Sequence, residues 1–278
     1  MSESAIVLVT ARSFGVVSPI GREILSRHGF KVVRVPDEER PLTSLKLQRY
    51  MVRERPCALV VGAEPITRGV LAAAEGLRII TKHGVGVDNI DLAAATDFGI
   101  LVTNAPGTNA YAVAELTIAL MLAMSRRICR ANQSVKAGLW ERFVGEEMWG
   151  KRIGVVGTGG IGREVVKRVQ SFGVSVLAYD PVIDPSLAGE YGVSYVPMDL
   201  LLQEADYVTV HVPLVEATRG LIGERELGLM KPDAYLINVS RGGIVDEQAL
   251  YAALTRGGMA GAALDVFAEE PPVNSPLL

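Results

Sequence analysis

The chain has 278 residues, 49% of them hydrophobic, and its 28 Lys and Arg against 31 Asp and Glu leave a net charge of −3. That length points to two globular domains, and the dispersed basic residues exclude the electrostatic footprint of a nucleic-acid binder, while an acidic small-molecule substrate stays open. The apolar run 6–9 is too short and lacks the basic flank of a secretory leader, the stretch 110–124 is interrupted by Glu115 and falls short of a membrane span, and Cys57 and Cys129 read as reduced core thiols, so a cytoplasmic protein with no membrane partner is expected.

Residues 6–10, 31–35, 58–62, 77–81 and 100–104 read as short strands, separated by segments with helical spacing and capping residues. The alternation predicts an α/β domain with a parallel sheet over residues 1–106. No Gly-x-Gly-x-x-Gly follows its first strand, so this domain is not the nucleotide binder. His28 closes a helix just before Gly29 and is expected on the surface. After the fourth strand, Lys82-His83-Gly84-Val85-Gly86 is either a simple turn or a cradle whose successive N–H groups hold a carboxylate, with Lys82 adding charge. Asn109 reads as the cap of one long helix over 109–131 and as a candidate ligand contact.

A second α/β domain is expected over residues 107–278, with strands at 153–156, 174–179, 207–212, 235–238 and 261–266. Its first strand feeds Gly157-Thr158-Gly159-Gly160-Ile161-Gly162, a helix follows at once, and a second apolar strand ends in Asp180, eighteen residues past Gly162. Gly157 would make the tight turn, Gly159 would admit a pyrophosphate, and Gly162 would let helix and strand approach closely. The helix N-terminus then offers free N–H groups to phosphates. A carboxylate at Asp180 suits the ribose hydroxyls of NAD and would repel the extra phosphate of NADP; a different adenosine ligand such as S-adenosylmethionine is the alternative.

Ligands in open α/β sheets bind beyond the carboxyl ends of the strands, which singles out the loops after Ile80, Asn104, Asp180, His211, Asn238 and Asp265. Arg241, at a strand end and followed by two glycines, either binds a carboxylate and polarises a carbonyl through its forked donors or pairs with a structural acid. Glu270, beside two prolines, is by itself an ordinary loop acid.

The runs GTGGIG with Asp180, HGVGVDNID from His83, NAPGTNAYAVAE from Asn104, NVSRGGIVDE from Asn238 and LDVFAEEPP from Leu264, in this order, resemble the D-isomer-specific 2-hydroxyacid dehydrogenases, above all their D-3-phosphoglycerate dehydrogenase branch. The resemblance implies two Rossmann-like, doubly wound parallel-sheet domains, the first a flavodoxin-like substrate domain and the second an NAD domain, assembled as a homodimer. It implies Arg241 as the catalytic arginine on the substrate carboxylate and carbonyl, and Glu270 as the acid that raises the pKa of a catalytic histidine. Val85 and Gly86 become backbone anchors of the substrate carboxylate; Lys82 and Asn109, read from the turn and from the helix start, join them as candidate substrate contacts. Gly157, Gly159, Gly160, Ile161, Gly162, Asp180, Val212, Pro213, Val239, Ser240 and Asp265 fall on cofactor-contact positions; no metal is implied.

One departure accompanies these agreements. The family's catalytic histidine lies in a Pro-His motif followed by a helix that returns to the substrate domain, and residues ending at Leu278 reach neither, so a truncated chain of impaired turnover is expected. Neither His28, His83 nor His211 reads as a natural replacement. The implied reaction is hydride transfer between NAD and C2 of a small D-2-hydroxy acid, first D-3-phosphoglycerate and second the glyoxylate and hydroxypyruvate couples. The alternative is an NAD-binding sensor or corepressor-like scaffold without turnover, against which Arg241 and Glu270 both count, since neither is needed merely to hold NAD.

Overall fold

A computed structural model of the chain describes residues 5–278. It divides into two compact units, Met1–Thr108 and Asn109–Leu278. In the first, β1 (Ile6–Val9), β2 (Lys31–Arg34), β3 (Ala58–Val61), β4 (Ile79–Lys82) and β5 (Leu101–Thr103) form one parallel sheet in the order β2-β1-β3-β4-β5. The connecting helices are α1 (Ile20–Arg27), α2 (Ser44–Glu54), α3 (Arg68–Ala72) and α4 (Leu92–Asp97). Because side chains alternate along a strand, each sheet face needs its own apolar cover. Leu8, Leu59 and Val61 face Leu47 and Met51 of α2, while Val7, Val9 and Val60 share the other face with Phe14 and Leu25. Helix starts are fixed locally: Asp91 accepts the Ala94 N–H at 2.8 Å ahead of α4.

The second unit opens with α5 (Ala110–Ser125) and α6 (Ile128–Lys136), followed by β6 (Arg152–Val156), α7 (Gly160–Val169), β7 (Ser175–Tyr179), α8 (Pro185–Tyr191), β8 (Ser194–Tyr195) and α9 (Met198–Glu204). It closes with β9 (Tyr207–Val210), α10 (Glu224–Leu229), β10 (Tyr235–Asn238), α11 (Glu247–Thr255) and β11 (Gly261–Leu264). All six strands are parallel, in the order β11-β10-β9-β6-β7-β8. This is the doubly wound dinucleotide order, reversing between β6 and β9, as the first sheet reverses between β1 and β3 in the flavodoxin-like order. Tyr207 and Tyr235 stack at 5.2 Å on one face with Met121, Val165 and Val169, and Leu201, Val208, Leu236 and Leu250 fill the other.

Three expectations need correction. The single helix over 109–131 is two helices, broken at Arg127, whose φ of 54° no α-helix accepts. The end of α5 is satisfied from afar, since the Ser125 carbonyl accepts the Glu146 N–H at 2.7 Å, and that contact ends the helix where its own sequence would have carried on. Asn109 holds the N-cap position of α5, but its side chain makes no capping bond. Cys129 is exposed on α6, not a core thiol; Cys57 is half-buried, and both are free. The two-residue β8 was not foreseen. Among the described residues no helix is long and apolar enough to cross a membrane.

Candidate active site

The turn after β6 is built by close approach. Gly157 has φ +95°, and a Cβ there would stand 2.9 Å from the His211 carbonyl carbon and 3.0 Å from Val212 N, so only glycine permits the turn to lie against the end of β9. A Cβ on Gly162 would overlap the Gly157 carbonyl, which ties α7 to the strand it follows. Gly159 and Gly160 differ: a Cβ on either would meet nothing within 4 Å. The space before the α7 N-terminus is thus open where a phosphate must come close to backbone, and the first N–H groups of the helix have no acceptor within it.

Asp180 follows β7 directly and does more than face a ribose. Its Oδ2 accepts the Thr158 N–H at 2.7 Å and the Thr158 hydroxyl at 3.2 Å, while Oδ1 accepts the Val182 N–H at 2.8 Å. The carboxylate therefore fixes the second residue of the glycine turn. Tyr195 of β8 donates its hydroxyl to Thr158 Oγ1 at 3.1 Å, so the strand missing from the sequence reading braces the same turn. Turn, carboxylate and open helix end fit an adenine dinucleotide.

His211 is 9% exposed, and burial lowers its pKa to about 3. Its Nε2 meets Thr209 Oγ1 at 2.9 Å, and its Nδ1 has no partner among the described residues. A ring so desolvated stays neutral near pH 7 and is no proton carrier for catalysis. Val212 and Pro213 continue from it into the loop beyond β9, where the Pro213 carbonyl accepts the Thr218 hydroxyl at 2.5 Å.

Beyond β10, Asn238 organises the next loop. Its Oδ1 accepts both the N–H (3.1 Å) and the hydroxyl (2.8 Å) of Ser240, and its Nδ2 donates to the Arg241 carbonyl at 3.0 Å. Val239 and Ser240 are buried, and the half-buried Arg241 donates Nη1–H to the Ser240 carbonyl at 2.7 Å. Gly242 is where this loop meets the one after β11: a Cβ there would lie inside the Phe267 carbonyl and 2.5 Å from Ala268 N. Glu270 Oε1 accepts the Phe267 N–H at 3.1 Å, so the Arg241 and Glu270 loops are fastened at one backbone contact. Lost hydration first, and the Glu270 charge second, push the Asp265 carboxyl above its ordinary pKa.

In the first unit the 83–87 loop begins as a continuation of β4, with the His83 N–H donating to the Val61 carbonyl at 2.9 Å. Gly84 has φ +150° and accepts the Ala105 N–H at 2.9 Å, and Asn104 Nδ2 donates to the Val85 carbonyl at 2.7 Å. Those bonds leave the N–H groups of Val85 and Gly86 without a backbone acceptor among the described residues. Lys82 is placed otherwise than the sequence suggested. It is 9% exposed, and its ammonium donates to the Gly62 carbonyl at 2.5 Å and Asn89 Oδ1 at 2.6 Å, ties that hold the loop rather than offer charge to a ligand. Asn109 is exposed at the start of the second unit.

Sequence reasoning missed a buried ionic network beside this loop. Arg40 and Glu64 are paired at 2.7 Å with side chains 7% and 9% exposed. Arg40 also donates to the Thr10 carbonyl, and Glu64 Oε2 accepts the Gly62 N–H at 2.8 Å. The only local signal was an acid directly after a buried strand, in Gly62-Ala63-Glu64-Pro65; its partner lies 24 residues away.

Residues 118–278 match the family described as D-isomer specific 2-hydroxyacid dehydrogenase, NAD binding domain. D-3-phosphoglycerate dehydrogenase of Methanocaldococcus jannaschii is 44% identical over 259 residues, covering 91% of this chain and 49% of that protein. The Archaeoglobus fulgidus enzyme of the same name is 49% identical over 234 residues, covering 82% and 44%. The chain thus spans about half the length of the curated relatives it matches. Among solved structures, D-lactate dehydrogenase of Aquifex aeolicus with NAD and lactic acid superposes with a TM-score of 0.81 at 32% identity, over 96% of this chain and 78% of that one. A glyoxylate reductase from Paecilomyes thermophila gives 0.82 at 30% identity, over 99% and 85%.

Proposed function

The chain belongs to the D-isomer-specific 2-hydroxyacid dehydrogenases, and from that premise we propose that it serves NAD-dependent oxidation of D-3-phosphoglycerate at C2, or the reverse reduction. The observation that carries the reading is the carboxyl edge of the second sheet, where the open glycine turn, Asp180 and the fastened Arg241 and Glu270 loops stand together on β6, β7, β10 and β11. NAD, when bound, supplies the hydride acceptor. Asp180 would accept ribose hydroxyls and exclude a 2′-phosphate, and the α7 N-terminus would take the pyrophosphate. Arg241 would hold the substrate carboxylate and carbonyl with its forked donors. Glu270 would hold the histidine acid/base that the family uses and favour its protonated form. Val85 and Gly86 would give their N–H groups to the substrate carboxylate. Phosphoglycerate is placed first because the curated relatives bear that name, while the solved neighbours include lactate and glyoxylate enzymes.

The partner is proposed to be a second copy of the chain. Residues 128–149 of the second unit expose Ile128, Val135, Leu139, Trp140, Val144 and Trp149, with Trp140 at 87% and Val144 at 92% exposure. An apolar run of that size marks an interaction surface. Light scattering should give a dimer that Trp140→Glu dissociates.

The function is tested by initial rates of NAD reduction with D-3-phosphoglycerate, D-lactate, D-glycerate and glycolate. The reading expects the highest kcat/KM with phosphoglycerate. Firm NAD binding with no turnover of any of the four, in a chain that also carries the family's Pro-His segment, would overturn it and favour a sensor.

A further inference from the structure

The carboxyl edge of the first sheet presents a second cluster, outside the N–H cradle. Its strand order reverses between β1 and β3, and open α/β sheets take ligands beside such a reversal. Two of the cations there are already engaged. Arg40 is buried against Glu64 and the Thr10 carbonyl, and Lys82 against Gly62 and Asn89. Drawing either toward a ligand would leave a buried charge without its partners, a strongly unfavourable change.

Arg12, Ser13 and His83 are exposed at this edge, as are Asp37 after β2 and Asn104 after β5. Ser13 Oγ lies 3.1 Å from His83 Nε2, joining the loop after β1 to the loop after β4 across the end of the intervening β3. Phe14 meets the imidazole edge-on at 5.7 Å, which fixes the ring plane. The turn that carries Arg12 is itself anchored, since the Arg12 carbonyl accepts Arg34 Nη2–H at 2.6 Å. Arg12 belongs to no ion pair among the described residues. At β3 the strand passes into Gly62, whose missing side chain makes room for the Glu64 carboxylate, since a Cβ there would stand 3.0 Å from Glu64 Oε2 and 3.3 Å from Ala11 Cα. The result is a guanidinium, a hydroxyl and an imidazole on braced backbone, with no carboxylate bonded to them: the donor set for a phosphate monoester.

Distance supports the same assignment. His83 is two residues before Val85, and two residues of chain span at most about 7 Å. A three-carbon acid held by its carboxylate on the Val85 and Gly86 N–H groups would carry its far end over about that length. We propose that Arg12, Ser13 and His83 form the subsite for the distal phosphate of the substrate, and so set the preference for phosphorylated over plain 2-hydroxy acids. The proposal rests on the function given above, but it concerns binding and can be separated from turnover.

The test is calorimetric titration of the protein, with NAD present, by D-3-phosphoglycerate and by D-glycerate, for the unaltered chain, Arg12→Gln and His83→Gln. Loss of one hydrogen bond to a charged group corresponds to about a tenfold to hundredfold weaker affinity. Each variant should weaken phosphoglycerate by that factor and D-glycerate by less than about threefold. Arg12→Ala, at an exposed position, checks the result where His83→Gln disturbs the loop. Equal weakening of both acids, no weakening of either, or an unaltered chain that binds D-glycerate as well as phosphoglycerate would overturn the subsite. Selective phosphoglycerate binding without turnover, in a chain that also carries the family's Pro-His segment, would leave the subsite standing and refute the dehydrogenase reading instead.

Discussion

Gly242→Ala strikes the one backbone contact that fastens the Arg241 loop to the Glu270 loop. The added Cβ would sit 2.5 Å from Ala268 N and within the Phe267 carbonyl, both main-chain atoms that no rotamer change can move aside. Ordinary carbon contacts lie near 3.5 Å, so with Phe267 O only 1.9 Å away the loops must part by about 1.5 Å. Glu270 moves with its partner Phe267 N–H, while Arg241 is held on the other side by Asn238. Overpacking of this kind costs about 1–3 kcal/mol of stability, and a displacement of about 1 Å or more between groups that act together costs about a hundredfold in rate. The assay is the initial rate of NAD reduction with D-3-phosphoglycerate by a chain that also carries the family's Pro-His segment, with urea unfolding and NAD titration run in parallel. The expected result is a roughly hundredfold fall in kcat/KM and a smaller loss of NAD affinity. A variant within about threefold of the parent in kcat/KM would refute the claim that this contact positions the two side chains.

Asp180→Ala removes both the proposed ribose acceptor and the anchor of Thr158; NAD affinity should fall about tenfold to hundredfold and the preference over NADP should shrink, and an unchanged NAD:NADP ratio by titration would count against the role. Glu64→Gln leaves the buried Arg40 with the exposed Asp37 as its only charged partner among the described residues, beside the Thr10 carbonyl, so unfolding free energy should drop by about 3 kcal/mol; a drop below about 1 kcal/mol would show the pair to be ordinary surface electrostatics. His211 has a folded pKa of about 3 against an ordinary 6.5. The unfolded chain therefore takes the extra proton, and this residue's contribution is lost as pH falls from about 6.5 toward 3, at up to ~1.4 kcal/mol per unit. His211→Gln should flatten that slope in acid unfolding curves, and an identical slope would place the neutral ring elsewhere.

Much of this architecture was legible because it is local. The glycine spacing from Gly157 to Gly162, the acid at Asp180 and the β-rich runs put the cofactor turn and ten strands within a few residues of where they lie. What was not legible depends on partners remote in sequence. Arg127 takes its left-handed turn because a segment near Glu146 caps α5, and nothing in the residues flanking Arg127 encodes that arrival. Lys82 reads as a ligand cation in one dimension and as a buried brace in three, once Gly62 and Asn89 surround it. Gly242 looks like any glycine beside an arginine until the Phe267 backbone lies against it. The Ser13 and His83 contact joins residues 70 apart, and neither type announces the other. The two-residue β8 is shorter than any periodic signal.

The most direct test is the stereochemistry of the reduced product: the phosphorylated 2-oxo acid derived from 3-phosphoglycerate is incubated with NADH and the protein, and the resulting hydroxy acid is resolved on a chiral column. The account predicts NADH consumption with formation of the D-isomer alone. An L-product or a racemate would contradict it, as would no consumption of NADH by a chain that also carries the family's Pro-His segment while NAD still binds.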